Sequence, residues 1–147
     1  MAGSTFAISL LDSMKEEHEG QQLGALAMRL AAEVREDQES LKVIIERVGE
    51  SSPDIKNMLG WAAEKLSQLK LRHDGDRGIG TFETLETLGL GILGKHALWR
   101  TLAVVAETDQ RLQGMDFARL GRRALAQHAD VESSRLEVAR KAFTPAM

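Results

Sequence analysis

A chain of 147 residues is the size of one domain and can bury a core without disulfides or a structural metal. With 19 basic and 22 acidic side chains its net charge is −3, which argues against a nucleic-acid or membrane-surface partner. Cysteine is absent, so disulfides, zinc knuckles, iron–sulfur clusters and thiol nucleophiles are excluded together.

Only two prolines occur, Pro53 and Pro145, and neither interrupts a periodic segment. Alanine and leucine are abundant and β-branched residues never alternate, a bias toward helix throughout. The first expected helix covers about Thr5 to Glu19, with Ile8, Leu11, Met14 and His18 on one face. Gly20 and its polar neighbours should break the chain there, because an unbroken rod to Val48 would reach about 65 Å. A second helix runs from about Gln22 to Val48. Its apolar stripe (Leu23, Leu26, Leu30, Val34, Leu41, Ile44, Val48) contains one acid, Asp37.

Gly49 suits the position just past a helix end. Ser51, Ser52, Pro53 and Asp54 then read as a new start, with serine at the cap and proline in the first turn. The third segment reaches about Arg72 on Ile55, Leu59, Ala62, Ala63, Leu66 and Leu69. A glycine-rich loop follows near residues 73–80. The fourth helix is expected from about Phe82 to Gln113, with Leu85, Leu88, Ile92, Trp99, Leu102 and Ala106 facing inward. Asp116 should cap the last helix, flanked by a Met115–Leu120 staple. Phe117, Leu120, Ala124, His128, Val131, Arg135 and Val138 line its inner face as far as about Phe143.

One string invites a nucleotide-binding reading. Gly89, Gly91 and Gly94 have dinucleotide-loop spacing, and Gly94-Lys95 ends like a phosphate-binding loop. Both mechanisms require a buried strand before the first glycine, so that free backbone N–H groups meet the phosphate. The residues before Gly89 carry apolar positions three apart, which is helix, and His96 replaces the hydroxyl that would hold magnesium. The three glycines are therefore expected to let a neighbouring helix approach. The loop from Asp74 begins like a calcium site but fails at Gly78, where a ligand is needed, and at Ile79, where glycine is needed.

Helical bundles hold carboxylate-bridged metals with Glu-x-x-His pairs, and none occurs here. The nearest arrangement is His128 with Glu132, four residues apart on one face. Glu86 and Asp37 could face them, which makes these four the candidate ligands for iron, manganese or zinc. Asp37 paired with Arg135 is the competing expectation, since acids on core faces usually survive by pairing. The charges of the last helix, including Arg119, Arg122, Arg123 and Arg140, read as a solvated, ion-paired face. No Gly-x-Ser-x-Gly elbow accompanies the four histidines, so no catalytic residue is assigned. Of the two tryptophans, Trp99 lies within an apolar stripe and Trp61 beside one; Trp61 is the candidate interface residue.

Gly60-Trp61-Ala62-Ala63-Glu64-Lys65, Leu69-Lys70-Leu71 and the stretch from Leu85 to Arg100 resemble an uncharacterised bacterial all-helical family. The likeness runs from about Glu19 to Phe143 and brings no activity with it. The order of helices also resembles the ferritin-like bundle at the level of architecture, without its Glu-x-x-His motifs. The expectation is an all-α fold, a ferritin-like or related up-and-down bundle of four to five helices in a single domain. In function it is a non-enzymatic interaction or scaffold protein, a homo-oligomer without cofactor. The alternative is an atypical metal-binding bundle. No apolar run approaches the roughly 18–20 residues of a membrane span, and the start lacks the basic residues of a signal peptide, so a cytoplasmic location is expected.

Overall fold

The computed structural model describes residues 2–49, 54, 57 and 80–143, with side chains from Ala7 onward. The expected third segment and the loop after it lie outside the described residues, apart from the helical Asp54 and Asn57 and the loop's last residue, Gly80. Among the described residues the fold is an all-α bundle without strands. Helix α1 spans Ala2–Glu17, α2 Gln22–Val48, α3 Thr81–Ala106 and α4 Phe117–Phe143, with a 3₁₀ turn at Gln110–Leu112. None of these helices is long and apolar enough to cross a membrane.

The break between α1 and α2 falls where the glycine signal places it. Gly20 has φ 79°, a left-handed conformation that costs any other residue type more. The turn is tight because the next glycine has no side chain. A Cβ on Gly24 would stand 2.3 Å from the carbonyl oxygen of His18. Gly24, and not Gly89 or Gly94 of α3, is thus a position that requires close approach. A Cβ on Gly89 would meet Val131 and His128 at ordinary contact distance, and one on Gly94 would meet nothing within 4 Å. The expectation of a glycine-lined close approach along α3 is corrected accordingly.

Helix α3 ends earlier than its periodicity suggests. Asp109 accepts hydrogen bonds from the backbone N–H and the Nε of Arg111, both at 3.0 Å. A side chain that satisfies a local N–H competes with helix continuation, and the chain turns through 3₁₀ geometry instead. That turn brings Leu112 into full burial. Gln113 closes the end of α3 by donating to the Ala106 carbonyl at 2.8 Å, and its own carbonyl accepts from Arg47 at 3.0 Å. Asp116 caps α4 as expected, accepting from the Arg119 N–H at 2.9 Å.

Side-chain pairs fix the helix directions. Phe82 meets Phe143, Glu86 meets Arg135, and Trp99 stacks on Phe117, so α3 and α4 are antiparallel. Arg29 with Asp130 and Asp37 with Arg123 make α2 antiparallel to α4 as well. Helices α2 and α3 therefore point the same way. The shared core contains Leu11, Met14, Leu30, Ile44, Leu85, Trp99, Leu102, Leu120 and Val131. Trp99 is fully buried, as its place in the stripe predicts, and its indole N–H has no hydrogen-bond partner among the described residues.

The two kinds of glycine should separate in urea denaturation. Gly24→Ala must displace backbone and is expected to cost about 1–3 kcal/mol. Gly94→Ala fills open space in mid-helix and should gain about 0.5–1 kcal/mol. Equal midpoints for the two variants would contradict the packing described.

Candidate functional site

Two features stand out beyond the core: a buried charge cluster and an uncovered apolar face. The cluster centres on Asp37, which is 3% exposed within the stripe of α2. Its two oxygens are used by different helices. Lys95 Nζ of α3 donates to Oδ2 at 2.6 Å, and Arg123 of α4 donates to Oδ1 at 2.5 Å. The same Lys95 ammonium donates to Gln127 Oε1 at 2.5 Å, and Gln127 Nε2 donates to Glu33 at 2.9 Å. Arg123 also reaches Glu36 at 2.5 Å.

Burial holds the Lys95 ammonium below its ordinary value of 10.5, outweighing the attraction of Asp37. Arg123 goes the other way. Burial works against its charge, but hydrogen bonds and attraction from Asp37 and Glu36 move it above the usual value. Both cations are thus already engaged by protein acceptors. The lysine of the glycine-rich string is thus a structural partner of Asp37, inside a continuous helix whose N–H groups are already bonded.

The four candidate metal ligands do not form one group. His128 lies beside Gly89 on the seam between α3 and α4. Glu132 and Glu86 lie on the same seam, but both turn to Arg135. Glu132 holds that guanidinium with bonds of 2.7 and 2.8 Å, and Glu86 approaches it to 3.8 Å. Hydrogen bonding to Arg135 lowers Glu132 below the ordinary carboxylate range. Arg135 also covers the Phe82 ring at 5.4 Å. Asp37 is apart from these three, at the α2 junction. Its pairing with Arg135 is corrected to pairing with Lys95 and Arg123. No group of three or more His, Cys, Asp or Glu among the described residues could hold a metal ion. Trp61, the candidate interface residue, lies outside the described residues.

The second feature belongs to α3, which is apolar around nearly its whole circumference. Leu85, Leu88, Ile92, Trp99 and Leu102 face the core. Leu90, Leu93, Ala97 and Val104 form another line, and all four are exposed, Val104 by 64%. On α4 a matching line of Ala118, Leu125, Ala129, Leu136 and Phe143 is exposed as well.

Helical steps of about 100° per residue place both lines on one side of the α3–α4 hairpin. On α4, Arg123 and Gln127 turn to α2 and Gly121 and His128 turn to α3; Leu125 and Leu136 lie further round. On α3, Lys95 turns to α2 and Gly89 and His96 turn to α4; Leu90 and Leu93 lie further round in the same sense. The antiparallel register sets Leu93 level with Leu125. The result is a row of exposed apolar side chains facing away from α2, broken by Arg100 on α3 and by Arg122 and Arg140 on α4.

No ligand-binding or catalytic motif marks Gln127 or Leu125. Gln127 falls in the three–four spacing of Leu120, Ala124 and Val131, a signal that was present. Comparison with protein families, with curated proteins and with solved structures finds no match for this chain.

Two substitutions test the cluster. Asp37→Ala would leave Lys95 without its paired carboxylate and Arg123 with Glu36 alone, and should cost about 3–5 kcal/mol in chemical denaturation. The pH dependence of Lys95 follows from its lowered value. Between that value and 10.5 the unfolded chain holds a proton that the native chain lacks, so stability rises with pH across this window. The urea midpoint of the wild type should therefore climb relative to that of Lys95→Met as pH approaches 10.5. A constant difference would contradict the desolvation described.

Proposed function

We propose that this chain is a non-enzymatic helical interaction module that works by self-association through the outer α3–α4 face. The supporting observation is the exposure of Leu90, Leu93, Leu125 and Leu136, between 42% and 50% each, along one side of the hairpin. A helix that is apolar all round is ordinarily enclosed. Several exposed apolar side chains on one side support a docking surface, whereas single exposed leucines carry no such meaning. The charged side chains that would do chemistry elsewhere are occupied. Asp37, Lys95 and Arg123 neutralise one another, and Glu86 and Glu132 hold Arg135. The reading places the chain in the cytoplasm, within the bacterial helical family that its sequence resembles.

The test is light scattering at micromolar concentrations. Wild-type protein is expected at twice the monomer mass. Leu93→Glu and Leu125→Glu should each weaken the dimer by about a hundredfold, the equivalent of about 3 kcal/mol for burying an unpaired charge. Both positions are exposed in the single chain, so helical circular dichroism should not change. A wild type that stays monomeric up to the highest soluble concentration would overturn the proposal.

A further inference from the structure

We infer that α3 and α4 are two copies of one helical repeat, paired about a two-fold axis inside the hairpin, with His96 and His128 as the side chains that set its register. Leu88-Gly89, Leu93 and His96-Ala97 recur as Leu120-Gly121, Leu125 and His128-Ala129, every pair 32 residues apart. Burial repeats with the residues. Leu88, Ile92 and Trp99 are buried, as are their counterparts Leu120, Ala124 and Val131, while Leu93 and Leu125 are both exposed. Any two packed amphipathic helices share a buried period. They need not share a glycine and a histidine seven residues apart, two turns along the same face.

The contacts show what that spacing does. A Cβ on Gly89 of α3 would meet the His128 ring of α4 at 3.9 Å, and a Cβ on Gly121 of α4 would meet the His96 ring of α3 at 3.8 Å. Each helix thus lays its histidine on the glycine of the other. Such reciprocity, in which a contact and its exchanged counterpart both occur, is the property of a two-fold pair. The rings also resist sliding. Three and four residues from Gly89 stand Leu85, Glu86, Ile92 and Leu93, so a shift of one turn between α3 and α4 would drive the His128 ring into one of these side chains.

The axis crosses the hairpin where the two repeats come level, at Leu93 and Leu125. On the inner side the counterparts Lys95 and Gln127 meet across it, Lys95 Nζ donating to Gln127 Oε1 at 2.5 Å. Equivalent side chains can touch only near their axis of symmetry. Both also face α2, which divides them: Asp37 takes the ammonium and Glu33 the amide. Symmetry ends there, since Arg123 of α4 corresponds to Gly91 of α3.

Urea denaturation of matched and crossed double variants of the full-length protein tests the pairing. A Cβ fits at either glycine, so the probe is leucine. Gly89→Leu overlaps the His128 ring and Gly121→Leu the His96 ring, and each should lower the midpoint. The matched doubles, Gly89→Leu with His128→Ala and Gly121→Leu with His96→Ala, should each recover about half of that loss or more, and by similar amounts. The crossed doubles, Gly89→Leu with His96→Ala and Gly121→Leu with His128→Ala, should lose the sum of their single effects. Where a leucine variant does not fold alone, folding of the matched and not of the crossed double carries the same result. Recovery at one site only, or at neither, would overturn the two-fold relation. Recovery in the crossed doubles would overturn the register.

Discussion

The bundle turns on one carboxylate. Asp37 occupies a position in the α2 stripe where an apolar side chain would be expected, and it meets Lys95 from α3 and Arg123 from α4. Three helices thus converge on two oxygens. The energetic yield of such a cluster is small, because each charge gives up its hydration to enter the protein. Its value is in discrimination. Sliding α2 by one turn against α4 would separate Asp37 from Arg123 and Glu33 from Gln127 at once, leaving enclosed groups without partners. An apolar interface of Leu, Ala and Val would tolerate that shift far better, since hydrophobic contact has little directionality.

The lengths and types of the helices were legible in the sequence because periodicity and punctuation agreed. Gln22 to Val48 carries an uninterrupted three–four pattern between two glycines, and α2 has those limits. Asp116 announces α4 because a short polar side chain before an apolar run satisfies an N–H that the helix leaves free. The end of α3 was not legible from the apolar pattern, which continues to Leu112. What stops the helix is a local contest for the Arg111 N–H, and the Asp109 carboxylate wins it. Periodicity reports burial, and Leu112 is indeed buried, but by a turn of the chain and not by another helical rung.

The cluster was half legible. An acid among apolar residues marked Asp37 as paired, but one helix cannot reveal which cation on another helix lies level with it. The pattern of α4 alone points to Arg135 on its inner face and reads Arg123 as solvated; the register between α2 and α4, fixed by Arg29–Asp130 and Glu33–Gln127, selects Arg123 instead. Lys95 belongs to a glycine-rich string, but its partners, Asp37 and Gln127, come from other helices. The outer strip was hidden for a different reason. On α3 the outer row carries nearly as many apolar residues as the inner one, so the apolar pattern alone does not say which way is out.

That last property connects the cluster to the strip. An amphipathic helix such as α4 is oriented about its own axis by the contrast between its faces. Helix α3 lacks that contrast, and turning it by one residue would exchange one row of leucines for another at little hydrophobic cost. Lys95 removes the degeneracy. Its ammonium must reach Asp37 and Gln127, which fixes the rotation of α3 toward α2. With Lys95 so directed, Leu85, Ile92 and Trp99 are enclosed, and Leu90 and Leu93 are left on the outer side. The buried charges therefore decide which apolar row the molecule presents.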